Sequence, residues 1–242
     1  MRKQLLFTFL LVLTFGVVNA QKKVEGNPKD LADVKEYNVV FDYSDIKVGK
    51  FKTEEDFLKD KMKKREEKEK GSGEKFKKSW FSDRDERFKP KYIESFNKRF
   101  DNGEVSVGEN DSEYTMKIHS TWVYPGYNVG VMRHDAELTA TVSFYKTSDP
   151  NNVILALTYK KVRGRGAMGN DYNSGYRISE CYAKLAKEVA KFFFSLFLRM
   201  SANLFSVIVF QFSPGFGNKY FSPGLMVLSF QTKAMPGPQN PL

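Results

Sequence analysis

The chain has 242 residues and a net charge of +10, from 39 Lys and Arg against 29 Asp and Glu, with one cysteine and two histidines. A hydrophobic content of 41% can form a packed core, which excludes a wholly disordered chain. The single cysteine excludes an intrachain disulfide and a multi-cysteine metal cluster. We therefore expect a folded domain with no metal site and no cofactor.

Residues 1–20 have the layout of a cleavable secretory signal. Two basic residues precede an apolar run at 5–18, and Val18-Asn19-Ala20 supplies modest side chains at a cleavage site. The run is shorter than the roughly 20 residues of a membrane span, which favours a cleaved signal over an uncleaved anchor. We expect an exported protein, located in the periplasm, at the outer membrane or outside the cell.

The first part of the mature chain mixes a short strand with charged helical sequence. Residues 37–43 are β-branched and aromatic, as in a strand. Thr53 precedes three acidic residues, which is typical of a helix N-cap, and this helix runs into the highly charged stretch 59–70. We interpret 53–90 as a charged helical insertion, followed by a short helix at 91–100.

The middle of the chain alternates apolar and polar residues with period two. This pattern predicts strands at 113–124, 135–146 and 153–159, with a tight turn at 148–152 between the last two. The second and third strands should pair antiparallel, so the three should form a meander.

A long helix should follow the glycine-rich connection at 164–175. Its apolar residues recur at helical spacing in one stripe: Ile178, Cys181, Tyr182, Leu185, Val189, Phe192, Phe193 and Leu196. Such a stripe packs on the apolar face of a sheet. The predicted fold is α+β, an antiparallel meander covered on one face by helices as a two-layer sandwich. Cys181 lies on the stripe and should be a small core residue rather than a reactive thiol.

The last part of the chain differs in composition. Residues 192–242 contain no acidic residue and are rich in phenylalanine. Residues 192–212 have a membrane-spanning length with one charge, Arg199, while 204–211 also alternate as a strand would. Three interpretations stay open: membrane association, packing or docking on a partner, and a poorly ordered or atypical tail. The predicted organisation is a signal at 1–20, a domain at 21–200 and a hydrophobic tail at 201–242.

No catalytic arrangement can be built from this sequence. Residues 164–169 match G-x-G-x-x-G, but a dinucleotide site also needs a parallel βαβ unit with a helix starting at the third glycine. His119 falls on the polar face of its strand, and His134 lies in or beside a hairpin loop. We therefore predict no catalytic residue, no nucleotide site and no nucleic-acid partner.

Residues 113–195 resemble the small α/β domain in the amino-terminal part of TolB, which also occurs in accessory proteins of bacterial outer-membrane export. The resemblance lies in the loop Tyr124-Pro125-Gly126, the strand at 136–145, the Asp149-Pro150 turn and a helix carrying Arg177 and Tyr182. It implies a non-enzymatic envelope protein that assembles with partners, and it transfers no catalytic residue.

The expected function is therefore protein–protein interaction in the cell envelope. The candidate partner-binding residues are the aromatic side chains of Trp80, Phe81 and Tyr127, which we expect to be exposed, together with Arg133. Burial of Trp80 and Phe81 against the sheet edge is an equal alternative for these two. A second hypothesis is a basic binder of anionic polymers or membrane surfaces through 59–99, and a third is an exported hydrolase.

Overall fold

The computed structural model describes residues 22–100, 103–128, 132–164 and 173–211, with side chains for those between 24 and 197. The predicted signal at 1–20, most of the glycine-rich connection and the tail beyond 211 lie outside the described residues. The chain divides into two units, 1–201 and 202–242, and the sheet belongs to the first.

Nine strands and four α-helices make up the described part of the chain. The strands are β1 (Lys22–Gly26), β2 (Glu36–Asp42), β3 (Lys47–Val48), β4 (Ser106–Gly108), β5 (Tyr114–Tyr124), β6 (Tyr127–Asn128), β7 (Arg133–His134), β8 (Ala136–Lys146) and β9 (Leu155–Gly164). The helices are α1 (Glu54–Glu66), α2 (Ser72–Asp83), α3 (Lys89–Asn97) and α4 (Ser174–Gln211). A 3-10 turn covers Pro28–Leu31, and a π-helical turn, Arg84–Phe88, joins α2 to α3.

The seven-stranded main sheet has the order β1-β9-β8-β5-β2-β4, with β3 also paired to β5. The predicted meander is confirmed, because β8 pairs antiparallel with both β5 and β9. The sheet as a whole is mixed, since β2 and β3 run parallel to β5 and β4 runs parallel to β2. Residues 22–26, for which we predicted no strand, form the edge strand β1 on β9.

The helices cover one face of this sheet, so the predicted α+β sandwich is confirmed. On α4 most of the predicted stripe is buried, including Ile178, Tyr182 and Phe193, while Phe192 and Leu196 are half-buried. These side chains meet the inward residues of β5 and β8 in one core cluster. Cys181 is fully buried, and burial raises the pKa of its thiol, as expected of a small core residue.

A bulge changes which residues of β5 face the helices. The pairing with β8 shifts register between Ser120 and Trp122. Ser120 is buried beneath the helices, and past the shift Val123 is buried while Trp122 and Tyr124 are not. A one-residue slip reverses the face of every later side chain. Unbroken alternation through Tyr124 was therefore wrong.

The α1–α2 hairpin is the charged insertion, and its helix ends are capped by side chains. The Thr53 hydroxyl accepts the backbone N–H of Asp56 at 3.1 Å, which confirms the predicted N-cap. A short turn follows α1, and α2 begins at Ser72. The Glu66 carboxylate accepts the backbone N–H of Gly71 at 2.7 Å and of Gly73 at 3.2 Å. These bonds satisfy donors that the start of a helix leaves free.

The outer face of the sheet is polar, and Asp42 carries a strong ion pair there. Lys117 Nζ lies 2.7 Å from Asp42 Oδ2, and the Ser44 backbone N–H donates to Oδ1 at 3.0 Å. Burial alone would raise the pKa of the Asp42 carboxyl, but the hydrogen bonds from Lys117 and Ser44 lower it from 3.8 to about 2.

Asp42→Asn should make the free energy of unfolding less dependent on pH between pH 2 and 6. Because the folded-state pKa is depressed, the ionised carboxylate stabilises the fold above about pH 4 and loses this effect as the pH falls towards 2. We expect the variant to lose about 1–2 kcal/mol at pH 6 and almost nothing at pH 2, measured by urea unfolding from pH 2 to 6. Asp111→Asn is the control, because Asp111 is exposed and forms no ion pair with any residue that the structure describes. If the free energy of unfolding has the same pH dependence in the wild type and in Asp42→Asn, the stabilising role assigned to the Asp42 carboxylate is wrong.

Candidate ligand-binding cleft

A cleft of about 870 Å³ opens between the α1–α2 hairpin and the sheet end formed by β3, the turn after β5 and the start of α4. One face of each hairpin helix lines it. On α1 this face carries Phe57, Lys61 and Arg65, which are spaced four residues apart. Clefts of this size hold a small molecule or a few side chains of a larger partner.

Aromatic rings form one wall of the cleft. The ring centroid of Phe57 lies 4.8 Å from that of Trp80, 5.7 Å from that of Phe51 and 6.1 Å from that of Phe76. Tyr124 and Tyr127, from the sheet end, also line the cleft. Edge and tilted contacts of this kind fix the rings and leave apolar surface facing the cleft.

Cations surround this aromatic wall. The Arg65 guanidinium lies 4.5 Å from the Phe76 ring centroid, and the ammonium groups of Lys61 and Lys50 lie 5.9 and 5.7 Å from the Phe57 and Phe51 centroids. Within the described part of the chain, no carboxylate lies within ion-pair distance of these three cations. Lys75 has only a long, exposed contact with Glu69 at 3.8 Å. The rim therefore carries cations without a direct ion pair among the described residues, although the hydrogen bond from Lys64 and the charges of Lys61 and Lys50 lower the pKa of the nearby Asp60 carboxyl.

The back of the cleft is held by a buried arginine at the start of α4. Arg177 Nε donates to the carbonyl of Pro125 at 2.9 Å, and one of its terminal nitrogens donates to that of Gly126 at 3.3 Å. Gly126 has φ +66°, and a Cβ there would lie 2.4 Å from the His134 carbonyl oxygen. The turn after β5 therefore needs glycine and is tied to α4.

Asp83 is the acidic residue of the lining. Its carboxylate is buried, lies 2.6 Å from Arg87 Nε, and sits where a Cβ on Gly175 would fall. Burial raises the pKa of this carboxyl, against the opposing effect of Arg87. The Arg87 guanidinium in turn lies 4.0 Å from the Tyr176 ring centroid. Because Asp83 is paired with Arg87, it does not neutralise the cationic rim.

The cleft brings together two of the four predicted partner-binding residues. Tyr127 is 37% exposed and Trp80 only 5%, so the expectation that Trp80 is exposed is wrong, although its ring still borders the cleft. Phe81, 37% exposed, lies outside the lining against the Arg84 guanidinium. Arg133 is also outside it and pairs with Asp135 at 3.5 Å.

Sequence reasoning missed the cations that complete this site. Lys50, Lys61 and Arg65 were part of a general basic excess, and Arg177 entered only through the resemblance. The spacing of Phe57, Lys61 and Arg65 is the signal that could have indicated a shared helix face.

The other motifs occupy different positions. His119 Nε2 lies 2.5 Å from Asp45 Oδ1 on the outer face, whereas the neighbouring Ser120 hydroxyl is buried on the helix side against the Tyr182 hydroxyl. Gly164 of the G-x-G-x-x-G stretch ends β9, and 165–169 lie outside the described residues. Among the described residues, no three His, Cys, Asp or Glu side chains are grouped as a metal site would need.

A half-buried ion pair positions Trp80. Glu54 accepts the Trp80 indole N–H at 2.7 Å, and the Arg84 guanidinium lies 2.5 and 2.6 Å from its two carboxylate oxygens. The same guanidinium packs 4.3 Å from the Tyr43 ring centroid. Glu54 therefore joins α1 to the end of α2 at the cleft wall.

Glu54→Gln should lower the free energy of unfolding by about 2 kcal/mol, because it removes a charged partner from two hydrogen-bonded donors. Chemical denaturation followed by tryptophan emission measures this loss. Glu55→Gln is the matched control, since its pair with Lys59 is solvent-exposed and should contribute under about 0.5 kcal/mol. Equal losses in the two variants would contradict the role of Glu54.

No protein family, curated protein or solved structure matches this chain. Within the described residues, none of the helices combines the length and apolar character needed to cross a membrane.

Proposed function

We propose that this chain is an exported, non-enzymatic protein of the cell envelope that acts by binding a partner protein through the cleft. The observation that carries the proposal is the combination of an aromatic wall with three cations that form no ion pair within the described residues. Groups arranged this way favour an anionic ligand with apolar parts. The signal-like residues 1–20 support export, and the resemblance to the TolB amino-terminal domain supports a role in assembly.

Photo-crosslinking in the producing cells tests the proposal. A photoreactive amino acid replaces Tyr127, and crosslinked products are identified by mass spectrometry. We expect one protein adduct that is lost when Lys61→Glu and Arg65→Glu are added. Val153, which is 48% exposed and outside the cleft lining, is the control position and should give no such adduct. Adducts with lipid or polysaccharide alone, or an adduct unaffected by the charge reversals, would overturn the proposal.

A second candidate function, binding of anionic polymers or membrane surfaces, has its own supporting observation. The hairpin also carries Lys63, Lys77 and Lys78 on exposed positions outside the cleft, and these lysines form no ion pair within the part of the chain that the structure describes. Binding through such dispersed charges should collapse between 50 and 200 mM salt. Sedimentation with phosphatidylglycerol vesicles at the two salt concentrations distinguishes it from cleft binding.

A further inference from the structure

The cleft has a composition that defines the kind of segment it can hold. Its cations lie on the rim, where Lys50, Lys61, Arg65 and Lys75 are exposed, and its rings lie deeper, where Phe57 and Trp80 are buried. A ligand that matches both layers needs an apolar group that enters and negative charges that remain at the surface. A purely charged polymer would leave the aromatic wall unused.

From this layering we infer that the partner contributes an acidic peptide segment with an aromatic anchor side chain. This inference rests on the proposed function and specifies the partner's chemistry. The anchor enters the cleft that the rings of Phe76 and Trp80 line together with those of Tyr124 and Tyr127. Carboxylates flanking the anchor meet the cations of the rim.

An aromatic anchor fits this wall because the rings present both faces and edges. Phe57 makes its ring contacts at interplanar angles of 48° to 70°, so the cluster is not a flat stack. A further ring can add to such a cluster in an edge or offset contact. Aromatic side chains seated in water-excluding pockets are the residues that dominate binding energy at protein interfaces.

The rim cations are placed so that they can form direct ion pairs with carboxylates, in addition to attracting negative charge at longer range. Lys61 and Arg65 are one helical turn apart on α1, and each lies against a ring of the wall. The ring contact limits the directions that these long side chains can take. Two carboxylates that flank an anchor can therefore bind both cations together.

Fluorescence anisotropy on the full chain tests this inference. The probe is a fluorescein-labelled ten-residue peptide with four glutamates around a central phenylalanine. One comparison peptide replaces that phenylalanine with serine, and another replaces the glutamates with glutamine. We expect each replacement to weaken binding at least about tenfold. Lys61→Glu with Arg65→Glu should weaken it by a similar factor, whereas Lys63→Glu with Lys77→Glu, the same charge change outside the cleft, should stay within about twofold.

The peptide series on the wild-type chain keeps the test valid even if a variant misfolds. Equal binding of the phenylalanine and serine peptides would overturn the anchor and favour binding of polyanions. Equal binding of the glutamate and glutamine peptides would overturn the acidic segment. No peptide binding, together with a protein crosslink at Tyr127, would reject this partner chemistry and leave the proposed function standing. If neither peptide binding nor a protein crosslink at Tyr127 is found, both the partner chemistry and the proposed function are rejected.

Discussion

Phe193→Ala should lower the free energy of unfolding by about 4 kcal/mol, the largest effect we expect from truncating a single side chain in this protein. Phe193 is fully buried on α4. Its ring centroid lies 5.4 Å from that of Phe144, 5.7 Å from that of Tyr37 and 6.3 Å from that of Phe96. The ring therefore touches β8, β2 and α3 together, and its removal leaves a cavity between the sheet and both covering helices.

The neighbouring Phe194 provides the control for this prediction. Phe194 is 55% exposed on the same helix, so Phe194→Ala should change stability by less than about 1 kcal/mol. Both variants remove the same atoms, and only burial differs between them. Urea denaturation at neutral pH gives the two values. A loss below 1 kcal/mol for Phe193→Ala would show that α4 does not pack on the sheet as described.

Periodicity predicted the parts of the fold in which burial has a regular spacing. The strand β5 as far as Ser120, β8, β9 as far as Tyr159 and the helix α4 each bury residues at period two or at helical spacing. In contrast, β1 could not be found this way. It is an edge strand whose Val24 is 43% exposed, and its backbone pairing with β9 defines it.

The helical insertion predicted at 53–90 includes α2, but the bounds of this separate helix could not be predicted, for a similar reason. Of its large side chains only Trp80 is buried, so the segment shows charges and scattered aromatics without a clear stripe. The bulge at Thr121 was also invisible, because the local sequence alternates straight through it. Register depends on pairing with β8, which the sequence of one strand does not contain.

One part of the candidate site could be predicted from the sequence, and another part depends on the tertiary fold. Trp80 and Tyr127 could be proposed from the sequence as aromatic residues in polar surroundings. Their presence in one cleft depends on how the hairpin α1–α2 packs near the turn after β5. The cations Lys50 and Lys61 come from different segments, so their joint location against the same aromatic wall is a property of the tertiary fold.

The start of α4 matters to this site as much as the hairpin does, because the helix holds Arg177 and the cleft's back wall in place. Its position is set by contact with Gly164 at the end of β9. A Cβ at residue 164 would lie 2.6 Å from both the Arg177 carbonyl oxygen and the Cys181 backbone nitrogen. Both atoms belong to the helix backbone, so no side-chain movement can relieve the overlap, and the helix and the strand would have to separate.

Gly164→Ala should therefore lower the free energy of unfolding by about 3 kcal/mol. It should also weaken cleft binding in the anisotropy assay, since Arg177 shifts with the helix backbone. Gly108→Ala is the control, because a Cβ there meets only the Asn110 side chain at 3.6 Å, which is ordinary contact, and we expect a change within about 0.5 kcal/mol. If the free energy of unfolding of Gly164→Ala equals that of the wild type, α4 does not cross β9 at this point. If it is destabilised but binds as well as wild type, the start of α4 does not shape the cleft.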